Sequence, residues 1–135
     1  MGTLSELLEL RMIRLFLPLA LSMAATPLVA EPFVLLIHEA PDQIALRDAA
    51  GPEGQAYWAA YADWGQHATA AGILKGGAAM VPVPVATLGT PEPGALVLGG
   101  FFQIDAPDAA TARDWAAKLP AAASGAVEVR AIIQM

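Results

Sequence analysis

The chain has 135 residues, 56% of them hydrophobic and 15% charged. That composition suits one globular domain and excludes a disordered polar chain. Seven Lys and Arg against thirteen Asp and Glu leave a formal charge of −6; with no basic cluster, the footprint that nucleic acid or anionic lipid needs is missing. There is no cysteine, which removes disulfides, thiol nucleophiles, Cys-ligated zinc, iron–sulfur clusters and an acyl-cysteine anchor.

In residues 1–30, "MGTLSELLELRMIRLFLPLALSMAATPLVA", Arg11 and Arg14 precede the apolar run Leu15 to Met23 and the small residues Ala24, Ala25 and Thr26. Basic start, apolar middle and small-residue end are the layout of a secretory signal peptide. Cleavage after Ala30 is expected, with Met12 as an alternative start and a periplasmic or secreted destination. Leu15 to Val29, broken by Pro18 and Pro27, falls short of the roughly 20 residues of a membrane span. Contact with a membrane is therefore expected only through this segment, if it stays uncleaved. Residues 31–135 make the single mature domain.

Phe33 to Ile37 is a continuous apolar run ahead of Pro41, the pattern of a strand buried on both faces. From about Gly54 to Ala71 the period becomes helical. Tyr57, Tyr61, Trp64, Ala68 and Ala71 fall on one stripe, and Gly72 is placed to close the helix. Gly65, inside that helix, costs roughly 1 kcal/mol against alanine, and a close backbone neighbour is the expected reason for it. Ile73 to Met80 predicts a second strand. "VPVPVATL" and "ALVL" around "GTPEPG" predict an irregular arm or hairpin, which its prolines confine to an edge.

Phe101 to Ile104 predicts a third strand, and Asp108 can cap a helix from Ala109 to about Leu119. Val127, Val129, Ala131 and Ile133 alternate with Glu128, Arg130, Ile132 and Gln134, as in an edge strand. The order βαββαβ is the ferredoxin-like arrangement, an α+β fold with an antiparallel sheet and both helices on one face. A central strand that is apolar on both faces needs a second cover. A homodimer built through the open face of the sheet is expected to supply it.

Several stretches resemble one family. "FVLLIHEA", "YWAAYADWGQHATAAGILKGGAAM", "GGFFQIDAPDAATARDWAAKLP" and "GAVEVRAIIQM" are similar to the YCII-related proteins, in particular their DGPF branch, over about Phe33 to Met135. The resemblance implies a dimeric α/β-barrel type of assembly. It also implies a site pairing a helix-one histidine with an acidic residue just after that helix. Aligned on Gly72, this chain carries Tyr61 and Lys75 at about those places. The Asp-Gly-Pro-Phe segment of the branch is absent, with "PEPGALVLGGFF" in its stead, and a secretory signal departs from the family's usual cytoplasmic character.

The candidate site residues follow from position and chemistry. His38, at the end of the central strand, has an ordinary pKa near 6.5 and could serve as a general base; the alternative is a partly solvated histidine where a strand runs out. Tyr61 and Lys75 could bind an acidic substrate or stabilise an enolate-like anion, or be a core phenol and a surface ammonium. Trp64, on the same stripe, is a candidate binding residue or a core residue. Asp63 and His67, four apart, are at most a weak surface pair; no metal and no cofactor are expected. Three functions remain open: a small-molecule binding domain, an enzyme of acid/base type acting on a small acidic metabolite, or an envelope interaction module using the proline-rich arm.

Overall fold

The computed structural model describes residues 29–135; the expected signal segment, apart from Val29 and Ala30, lies outside the described residues. Four strands form one antiparallel sheet: β1 (Glu31–Glu39), β2 (Leu74–Ala79), β3 (Val97–Ala106) and β4 (Gly125–Ala131), in the order β2-β3-β1-β4. Between β1 and β2 lie a one-turn helix α1 (Pro41–Ile44), a 3-10 turn (Ala45–Asp48) and the long helix α2 (Pro52–Ala70). Between β3 and β4 lie α3 (Ala109–Ala117) and the one-turn α4 (Ala121–Ser124). This is the ferredoxin-like α+β fold.

Alternation along β1 sets which side of the sheet is dry. Phe33, Leu35, Ile37 and Glu39 are buried, while Val34, Leu36 and His38 between them are only partly so. The buried set packs with Ile104 and Ala106 of β3, Trp64 and Ala68 of α2, and Ala112 and Ala116 of α3. Successive strand residues point to opposite faces, so both long helices cover one face and the other is left open. Val34 and Leu36 thus give the open face a half-buried apolar stripe, which Phe101 continues across the sheet. The expectation that β1 is buried on both faces holds fully on the helix side and partly on the other.

The helix ends carry the caps that the sequence foretold. Asp108 accepts a 2.7 Å bond from the Thr111 backbone N–H, satisfying one of the orphan donors of a helix start. At the end of α2, Gly72 adopts φ +74°. The Gly72 and Ile73 amides there donate back to Thr69 O and Ala68 O, a Schellman closure. Ala71, placed on the apolar stripe by spacing alone, is exposed beyond that closure.

Two readings are corrected by the fold. β3 starts at Val97, earlier than Phe101, so "VL" belongs to the sheet; residues 80–96 form the irregular arm, with Val81, Val83 and Val85 at least 72% exposed. Gly65 has no close backbone neighbour: a methyl group there would meet nothing within 4 Å. What lies beside it is a cleft.

Candidate functional site

The cleft runs between the helix-facing side of β2 and β3 and one flank of α2, with a volume of about 490 Å³, within the roughly 300–1,000 Å³ of small-molecule sites. Its walls are Ile37, Phe102, Trp58, Ala62 and the backbone of Gly77, Gly99 and Gly100. Its polar groups are four: Glu39, Arg47, Tyr57 and Tyr61. A missing side chain makes space at Gly65 on the helix, whereas at Gly77, Gly99 and Gly100 a Cβ would lie 2.6–2.7 Å from neighbouring atoms.

Glu39 is the last residue of β1 and follows the buried alternation, so its carboxylate enters the protein and is only 1% exposed. A buried carboxylate is costly unless paired and hydrogen-bonded. Here Tyr57 Oη donates to Glu39 Oε1 at 2.6 Å and Arg47 Nη2 approaches the same oxygen at 3.3 Å. Both partners use Oε1. The second oxygen, Oε2, accepts no hydrogen bond from a described residue.

Arg47 ties the site together. Its Nε donates to Tyr57 Oη at 2.8 Å, its Nη1 to the Met80 carbonyl at 2.8 Å, and its Nη2 to the Gly99 carbonyl at 2.8 Å. One guanidinium from the 3-10 turn thereby joins the ends of β1, β2 and β3 to α2. β3 bulges at Gly99, whose carbonyl also accepts from the Met80 amide at 2.8 Å: Ile37 pairs with Gly100 and His38 with Leu98, leaving Gly99 as the extra residue. A bulge of this kind re-aims the backbone. It also needs a glycine, since a Cβ at position 99 would lie 2.7 Å from Arg47 Nη2. The Arg47 guanidinium stacks near the rings of Tyr57 and Trp58, 5.6 and 5.5 Å from their centroids.

The electrostatics follow from this packing. Burial works against the Arg47 charge, but the hydrogen bonds and attraction of Tyr57 and Glu39 outweigh it and raise its pKa further. Burial, reinforced by the bond to Glu39 and opposed by Arg47, pushes Tyr57 up to about 12. Tyr61 is raised as well, by burial first and then by the Glu39 charge. The Tyr61 hydroxyl is buried yet has no partner within hydrogen-bond geometry, although Glu39 is near enough to act on it. Two phenols that hold their protons thus flank one carboxylate.

The residues chosen from sequence are not brought together. His38 points to the open face, where its Nε2 lies 2.6 Å from Glu128 Oε1; strand alternation separates it from the cleft that Glu39 enters. The Lys75 ammonium lies 3.8 Å from Asp105 Oδ2, half exposed, and is not part of the cleft wall. Trp64 is in the core, its Nε1 donating to Trp115 O at 3.0 Å and its ring 4.6 Å from that of Phe102. Tyr61 does line the cleft. Asp63 and His67 make a 3.7 Å pair on the exposed side of α2.

Three site residues went unselected, and two of them left a signal. Glu39 shares the period-two face of Phe33, Leu35 and Ile37, and Tyr57 shares the α2 stripe with Tyr61. Arg47 left none, because two of its acceptors are backbone carbonyls 33 and 52 residues away.

The chain has two tyrosines, both in the cleft, so tyrosinate absorbance reports the site directly. A tyrosine raised in the folded state supports folding fully below its unfolded pKa near 10, and that support is lost as the pH climbs through the folded value. Absorbance at 295 nm should therefore stay flat to about pH 10.5, where free tyrosine is mostly ionised, and rise together with unfolding. An ordinary titration at about pH 10 in the folded protein would refute the burial described.

The two phenols should also differ in stability. Tyr57→Phe breaks a buried network and should cost about 1–3 kcal/mol in urea unfolding. Tyr61→Phe removes a hydroxyl without a partner and should cost less than about 0.5 kcal/mol or stabilise. Equal losses would contradict the geometry.

A family model for the YCII-related domain matches residues 32–135. A search of curated proteins found no match. The matched segment takes in the whole cleft, from Ile37 to Phe102, and all but the first residue of β1 to β4: the chain belongs to the YCII-related domain family.

Proposed function

We propose that this domain binds a small molecule in the cleft between its sheet and α2. The observation that carries the reading is a roomy, mostly apolar space lined by the Glu39 carboxylate and by Tyr61, whose buried hydroxyl has no partner in hydrogen-bond geometry. Apolar walls with a few convergent polar groups are the general form of a ligand site. A small acidic ligand has less support than a neutral one. Among the described residues, the cation lining the cleft is Arg47, whose donors already serve Glu39, Tyr57 and two carbonyls. Chemistry based on His38 has no support from a side chain on the other face. The exposed valines of the arm suit a surface for an envelope partner, but the cleft favours the ligand reading.

Export and pairing complete the proposal. β1 begins at Glu31, the residue after the expected cleavage point, so removal of residues 1–30 leaves the strand whole. The open face carries Val34, Leu36 and Phe101, rimmed by the Glu128–Arg130 and Lys75–Asp105 pairs. A second copy, set against it by a two-fold axis, would cover the apolar stripe and match charges at the rim.

Two experiments check this reading. Leucine at position 65 meets open space on the helix side and has better helix propensity than glycine, so Gly65→Leu should fill the cleft without unfolding the chain. Saturation-transfer NMR with acetophenone, benzyl alcohol and 2-hydroxyacetophenone should show binding to the native protein and roughly tenfold weaker binding to Gly65→Leu. Equal signals from both proteins, or none from either, would dismiss the cleft as a site. In protein recovered from the periplasm of a producing bacterium, mass spectrometry should show a chain starting at Glu31, and sedimentation should show two chains per particle. Retention of residues 1–30 would refute cleavage, and a single chain at every concentration would refute pairing.

A further inference from the structure

We propose that Glu39 and Tyr61 form an acid/base pair that moves a proton at a carbon next to the carbonyl of a neutral ligand. The inference rests on the cleft reading and adds a reaction to it.

Each half of the pair is prepared by what surrounds it. Glu39 Oε1 is held by Tyr57 and Arg47, which fixes the carboxylate plane and leaves Oε2 as the oxygen without a donor. Tyr61 Oη is buried in the same cleft beside the Glu39 carboxylate, without a partner in hydrogen-bond geometry. The two residues come from β1 and α2, so their spacing is set by the packing of helix on sheet. Buried hydroxyls normally find partners, and an orphan facing a cavity beside a carboxylate is the place for a ligand oxygen. Burial holds the Tyr61 proton in place, so that it donates a hydrogen bond without ionising, as an oxyanion donor must.

The step balances with these groups alone. Glu39 Oε2 takes the proton from a carbon beside the ligand carbonyl, and an O–H bond forms as the C–H bond breaks. The released pair becomes a carbon–carbon double bond, and the carbonyl π pair moves onto oxygen. The resulting enolate oxygen accepts the Tyr61 hydrogen bond. Once the carboxyl proton has exchanged with solvent, its return to the same carbon replaces that hydrogen; where the enolate is conjugated with a further double bond, delivery to the far carbon of that system shifts the double bond instead. No oxidant or second reactant is consumed. A second hollow, bordered by Gln43, Glu53 and Ser124, also reaches Glu39 and offers the carboxyl proton a route to solvent.

The ligand class follows from the same atoms. Glu39 and Arg47 cancel as charges, so the cleft favours a neutral body. Phe102, Trp58 and Ile37 favour an aromatic or aliphatic one. A ketone with an acidic C–H beside its carbonyl, such as an aryl hydroxyketone, meets each requirement.

The probe is 2-hydroxyacetophenone in D2O, its methylene protons followed by NMR with binding measured in the same samples. The full-length protein should speed loss of the methylene signal over buffer. Glu39→Gln, which keeps an oxygen for Tyr57 and Arg47, should lower that rate roughly a hundredfold or more while the dissociation constant changes less than about threefold. Tyr61→Phe should lower the rate by a similar factor with its unfolding midpoint preserved. Binding without exchange above buffer, or exchange unaltered in both variants, overturns the acid/base pair and leaves the binding reading standing. Absence of binding removes both.

Discussion

The site depends on one partly buried guanidinium. Arg47 enters from an irregular turn and spends its donors on Tyr57, Glu39, Met80 and Gly99, so three strand ends and the long helix share one charged centre. Such an arrangement is stabilising only while complete: removing one partner of a buried pair commonly costs about 3–5 kcal/mol, because the other charge is left stranded. The same bonds decide what remains free. By loading a single oxygen of Glu39, they leave the other without a bond from a described residue.

Space in the cleft has a cost in local stability. Gly65 sacrifices roughly 1 kcal/mol of helix propensity, and the Gly99 bulge gives up a regular ladder pair. An orphan tyrosine hydroxyl adds a desolvation cost. Each is a departure from the best local choice, and all three border one volume. Departures of this sort gather at working sites, where the rest of the fold compensates for them.

Much of the architecture was legible because it rests on period and caps. The β1 run, the α2 stripe from Tyr57 to Ala68, the Asp108 cap and the alternation of β4 each carry a local signal, and together they specify the βαββαβ order. The site was less legible for a physical reason. In "FVLLIHE" both faces of the strand are apolar, so nothing in the run says which one the helices cover. The choice between His38 and Glu39 therefore waits on tertiary packing. Arg47 lies in a stretch without periodicity, and its carbonyl partners have no residue-type signature. Gly65 was recognised as unusual, but a void and a close contact both demand a missing Cβ, and only the fold tells them apart.

The two faces of the sheet divide the labour. On the helix side, packing closes around Leu35 and Ile104 and opens at the cleft; on the other, apolar residues stand among charged ones. The claim beneath all of this is that Arg47 and Tyr57 are locked onto Glu39 in the folded chain, and the direct test is the proton spectrum of those groups. The account predicts a resolved Arg47 Hε and Tyr57 Hη at neutral pH, both exchanging slowly with water and both lost in Glu39→Ala. An Arg47 Hε exchanging at the rate of a free side chain, with no Tyr57 hydroxyl signal in the folded protein, would contradict it.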